Sequence, residues 1–240
     1  MNNTRQSIKN TIALLTSLVR YNLKVIFGGK FPYFLLAAGV VFLLFTLLNL
    51  ASSRSESLQA FYLLLMPGLL LIFYPTAFGI QNDVNARMIE ILFGIPNYRY
   101  KVWLFRFVLI NIVVFFILFL LAALFDLTLE QVDVLSLSLH LMAPILFVGS
   151  LAFCLSTITR NGNGTAVVLI IILMGFWMLQ GQLGDTEVNV FLNPFDMPED
   201  TNVSVWADII VKSRLYLATG SIVAILWGLF NLQRREKFIG

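Results

Sequence analysis

Asp83, Arg87 and Glu90 stand at i, i+4 and i+7 within the stretch QNDVNARMIEILFGIPNYRYKVWLFR, Gln81 to Arg106. On a helix this spacing puts the three charges on one face and Val84, Met88, Ile91 and Leu92 on the other. Charges displayed on a short rigid helix break no bonds by themselves. They make charge-assisted hydrogen bonds, which suits seating in a cleft of another protein. A plain solvated face is the competing reading, since surface ion pairs are common and weak. The amphipathic stretch stops at Gly94-Ile95-Pro96, because glycine weakens a helix and the residue before proline is pushed out of the α region.

Reactive groups elsewhere are sparse. Cys154 and His140 are each the sole residue of their type, so neither an intrachain disulfide nor a histidine metal pair can form. His140 and Ser150 lie about three turns apart on one apolar segment, too far for a serine–histidine dyad. Gly28-Gly29-Lys30 is followed by Phe31 where a phosphate-binding loop needs Ser or Thr, and the upstream glycine is missing. No catalytic activity, metal or nucleotide site is therefore expected on this chain.

The elements that carry these residues belong in a bilayer. Of 240 residues 59% are hydrophobic and 12% charged, against about 25% charged in soluble proteins. The expected architecture is all-α and polytopic, with six transmembrane helices: Phe31–Leu50, Phe61–Ile80, Val102–Phe125, Leu139–Ile158, Thr165–Leu179 and Leu215–Leu232. Six spans of about 20 residues leave too little chain for a soluble domain. Pro67 and Pro75 should bend the second span without breaking it, as neighbours satisfy the freed carbonyls. Gly149, Ser150, Ala152, Cys154 and Ser156 give the fourth span a small-residue character suited to close packing.

Residues 1–30 read as an amphipathic helix lying in the interface, with Arg5, Lys9, Arg20 and Lys24 toward lipid headgroups and Ile8, Ile12, Leu15, Val19 and Ile26 toward acyl chains. A disordered basic tail is the alternative. Between the fifth and sixth spans, Gly181 to Arg214 is too apolar for a plain linker and is expected to fold back as a short re-entrant helical segment. Thirteen of the 16 basic residues fall on one side of this layout, and ten of the 13 acidic residues on the other. By the positive-inside rule both termini are cytoplasmic, as is the Gln81–Arg106 stretch. The basic balance does not point to nucleic acid.

Arg106 is the only charge within any span, one turn in, where it is expected to snorkel to the interface. Ion-coupled carriers place Asp, Glu or His near the midplane, so any transport by this chain must draw its energy from a partner. Asn111, Trp177, Gln180 and Phe191 are the candidates for a pathway or outer gate.

The basic entry helix, the run Asp83, Arg87, Glu90, Ile91, Leu92, Pro96 and Arg99, and Asn193-Pro194-Phe195 in the outer segment together resemble the permease subunit of an ABC exporter of the ABC-2 type. The chain departs from the family pattern at Arg87-Met88, where Gly-Thr is usual, and at Tyr98 in place of Ser. The resemblance implies a permease domain over residues 31–240, a coupling segment at 81–101 and a connecting helix at 1–30. It implies two cytoplasmic ATPase subunits as partners, with ATP and Mg bound there and not here, and a second permease subunit, identical or related. Asp83, Arg87, Glu90 and Arg99 become the docking residues, Glu90 foremost. The setting is a multi-pass protein of a bacterial inner membrane, in contact with lipid. Two rival readings stay open: the substrate-capturing membrane subunit of an importer, and a polytopic membrane enzyme.

Overall fold

A computed structural model describes residues 31–49, 56–85, 99–129 and 131–233. Within them the chain is all-helical: α1 (Phe31–Asn49), α2 (Glu56–Asn85), a π-helical turn (Arg99–Leu104) running directly into α3 (Phe105–Thr128), α4 (Val134–Thr159), α5 (Gly162–Leu183) and α6 (Val203–Asn231). Five stretches are long and apolar enough to cross a membrane: Ala60–Asn85, Tyr100–Thr128, Val134–Thr159, Gly162–Leu183 and Val203–Asn231. Helix α1 contains a shorter apolar run, Pro32–Leu44. The protein has the character of a multi-pass membrane protein.

Local chemistry sets the helix ends. Asp133 caps α4 by accepting the Ser136 amide at 3.1 Å. Asn161 caps α5 by accepting those of Asn163 and Gly164, and Asn202 caps α6 through Ser204. Each satisfies amides that the first helical turn leaves free. Helix α2 continues through Pro67 and Pro75, as expected.

Helix α4 is the centre of the bundle and packs most extensively on α2 and α6. Small residues make this possible: a Cβ at Gly149 would lie 2.6 Å from Ile72 Cγ1 of α2, and one at Gly228 would lie 2.8 Å from the Phe153 ring. Ser138, Ser150 and Ser221 are buried, and each hydroxyl donates to a carbonyl one turn back in its own helix. No buried hydroxyl of this set is left without a bond. The apolar core gathers Phe61, Leu64, Leu71, Ile72, Val114, Leu118, Leu141 and Ile145.

Two expectations are corrected. Helix α6 begins at Val203, not Leu215, so Val203–Arg214 belongs to the helix. The middle of the segment expected to be helical, residues 184–202, instead forms successive turns. Its backbone finds other partners. Asn189 donates to the Gly184 carbonyl at 2.7 Å and accepts the Phe191 amide at 3.0 Å, while Asn193 accepts the Phe195 amide at 3.1 Å. Asn side chains that bond nearby backbone compete with a helix, and Pro194 and Pro198 cannot supply helical amides. The apolar centre, Val190-Phe191-Leu192, is nevertheless buried. It is pinned to α6, where Trp206 Nε1 donates to the Pro194 carbonyl at 3.0 Å and Arg214 Nη2 donates to that of Leu192 at 3.1 Å.

Candidate functional site

Helix α2 carries the chain to Asn85, and the π-helical turn brings it back at Arg99. The two antiparallel helices place Asp83 and Arg106 at one level. Arg106 Nη1 donates to Asp83 Oδ2 at 2.5 Å, and the two side chains are 15% and 8% exposed. The Arg106 guanidinium also lies 5.4 Å from the centre of the Trp103 ring, within cation–π range. A π-helical turn adds a residue to the usual helical repeat, which re-aims the side chains that follow it, and such turns recur at functional sites.

This end of the bundle is held by further polar contacts. Gln81 Oε1 accepts the Gly162 amide at 2.6 Å, joining α2 to the start of α5. The hydroxyls of Thr159 and Thr165 lie 2.6 Å apart, joining α4 to α5. Asn231 Nδ2 donates to Thr157 Oγ1 at 3.3 Å, joining α6 to α4. The ion pair, the amides and the hydroxyls form one set of connections among α2, α3, α4, α5 and α6. Its chemistry is that of a clamp: paired charges and hydrogen bonds resist relative movement of the helices.

Asp83 therefore departs from the expected face. It is buried, at 6% exposure, while Val84 is exposed at 39%, the reverse of the orientation that a helix with Asp83, Arg87 and Glu90 outward requires. The cause is Arg106, which is mostly buried and would lack a counter-ion if Asp83 faced out. Arg106, expected to snorkel alone, is paired. Its partner was detectable in the sequence as an acid near the end of one apolar segment and a base near the start of the next, at matching depth. Arg87 and Glu90 lie outside the described residues, as do Arg5, Lys9, Arg20 and Lys24. Arg99 opens the π-helical turn, and its side chain is outside the described set.

The four residues expected to line a pathway separate. Trp177, Gln180 and Phe191 come together at the opposite end of the bundle: the Trp177 and Phe191 rings are 6.0 Å apart, and Gln180 Nε2 donates to the Tyr62 hydroxyl at 3.1 Å. Gln180 and Tyr62 border a cavity of about 160 Å³ shared with Asp185, Asn189, Asp196 and Trp206. Asn111 is elsewhere, buried on α3, with Nδ2 donating to the Phe107 carbonyl at 2.8 Å. It borders an apolar groove of about 460 Å³ between α3, α4 and α6. Among the described residues no group of three or more His, Cys, Asp and Glu side chains could hold a metal ion.

No protein-family model, curated protein or solved structure matches the chain.

Proposed function

We propose that this chain is the permease subunit of an ATP-driven exporter of the ABC-2 type, with α1 as a sixth span beside the five longer ones and both termini cytoplasmic. The observation that carries the reading is the Asp83–Arg106 ion pair at 2.5 Å. These residues flank the segment 86–98, which carries Arg87 and Glu90, on either side, so a force applied to that segment is delivered to α2 and α3 together. A partner ATPase seated on Glu90, with Arg87 and Arg99 in support, would pull on both helices at once. Asp83 acts in this scheme as an anchor inside the bundle and not as a surface contact. ATP and Mg belong to that partner.

A second permease subunit completes the pathway. In α5 only Gly162, Thr165 and Leu169 are buried, and Val167, Ile171, Met174 and Met178 stand exposed along it. This surface is available to a second subunit or to lipid. The polar-walled cavity beside Tyr62 and Gln180 favours a second reading, a substrate-capturing subunit of an importer.

Co-purification separates these readings. The tagged protein, extracted under mild conditions from its native membrane, should bring down an ATPase and a second permease. Recovery with no ATPase would overturn the exporter reading, whereas a tightly held small ligand at the Tyr62 cavity would favour the importer.

A further inference from the structure

Next to the Asp83–Arg106 pair lies a small cavity of about 30 Å³ bordered by Pro75, Thr76, Gly79, Trp103, Arg106 and Phe107. One water molecule needs roughly 10–15 Å³ of such space, together with polar partners. Trp103 is 5% exposed, and its Nε1–H has no hydrogen-bond partner among the described residues. A buried indole N–H almost always finds an acceptor. The Thr76 hydroxyl gives its hydrogen to the Ile72 carbonyl at 2.6 Å, which leaves its oxygen lone pairs for another donor.

Gly79 supplies an independent indication. Glycine weakens a helix interior relative to alanine. At Gly149 and Gly228 the absent Cβ is explained by a neighbouring side chain within 3 Å, but a Cβ at Gly79 would meet nothing within 4 Å. Close packing does not account for this glycine. Gly79 borders the cavity, and a methyl group added there would enter open space.

We propose that this cavity is a bound-water site, in which a water molecule accepts the hydrogen bond of Trp103 Nε1–H and bonds the Thr76 hydroxyl oxygen beside the Asp83–Arg106 pair. Water in this position gives the junction of α2 with the π-helical turn exchangeable hydrogen bonds in place of fixed packing, so Trp103 and Arg106 can shift while staying solvated. That use as a joint rests on the transport reading above. The occupancy by water does not.

The full-length protein, labelled with ¹⁵N-tryptophan, has four indole N–H groups to resolve, and Trp103→Phe identifies one of them. The expected result is a magnetisation-transfer cross-peak from water to the Trp103 indole N–H that persists in Thr76→Ala, which removes the hydroxyl able to relay the transfer and leaves more room for water. Loss of the cross-peak in a folded Thr76→Ala protein traces the transfer to that hydroxyl and overturns the proposal. Absence of the cross-peak in the unaltered protein overturns it as well, and decides the matter even if the variant does not fold. Neither result bears on whether an ATPase co-purifies.

Discussion

The Asp83 carboxylate and the Arg106 guanidinium, 23 positions apart in the chain, meet at 2.5 Å with both side chains mostly buried. Burying either charge alone is costly, because desolvation is then uncompensated. Asp83→Asn or Arg106→Gln alone should each lower stability by about 3–5 kcal/mol, the range for breaking a buried pair. The double variant should lose less than the two singles combined, since no unpaired charge remains. Thermal unfolding in detergent of the four proteins closes the cycle; strict additivity would mean that the pair is not coupled.

The approach of α4 to α2 at Gly149 makes a different expectation. Gly149→Ala drives its Cβ against Ile72, and overpacking of this kind costs about 1–3 kcal/mol. In an Ile72→Ala background, itself destabilised by about 2–5 kcal/mol through loss of buried side-chain volume, adding Gly149→Ala should cost less than it does in the unaltered protein, because the obstructing Cγ1 and Cδ1 atoms are gone. Melting temperatures of the unaltered protein, both single variants and the double variant close the cycle, and an equal cost of Gly149→Ala in the two backgrounds would locate the clash elsewhere.

Asn189 is 5% exposed and serves two backbone groups at once. Asn189→Leu leaves the Gly184 carbonyl and Phe191 amide without these bonds, at a cost of about 1–3 kcal/mol for each buried group left unsatisfied. The effect should be local. Amide hydrogen exchange in residues 184–193 is expected to rise, with α4 unchanged. Uniform protection across that segment in the variant would show that its turns do not depend on Asn189.

Under the exporter reading, Glu90→Arg reverses the charge at the principal docking position. Insertion and expression should be unaffected, while the partner's ATP hydrolysis no longer drives transport in reconstituted vesicles. Arg106→Gln, which disturbs the anchor and leaves the docking face intact, should retain ATPase binding with weakened coupling. Normal transport by an assembled Glu90→Arg complex would refute the docking role.

Much of the architecture was legible from residue types alone. Apolar runs of span length, separated by polar or turn-forming residues, place helices α2 to α5 to within a few residues, because a bilayer leaves the backbone little choice but to bond within itself. The small residues of α4 likewise announce close packing, and Gly149 fulfils it against Ile72. The segment after α5 differs from the helix that its apolar residues suggest. Hydrophobicity reports that Val190, Phe191 and Leu192 are buried, but whether a buried stretch is helical depends on who bonds its amides and carbonyls. Here Asn189, Asn193, Trp206 and Arg214 do so.

The candidate site divides in the same way. Residue types alone establish that the chain is a helical membrane protein, that its charges sort to opposite sides of the expected layout, and that the stretch from Gln81 to Arg106 is a long polar interval between two apolar segments. Helical periodicity could not say which way Asp83 faces, because periodicity knows only the residue's own helix. The facing decision came from Arg106 on the neighbouring helix, from Trp103 on the π-helical turn beneath it, and from the cost of leaving a buried charge unpaired. Only the tertiary structure brings those three residues together.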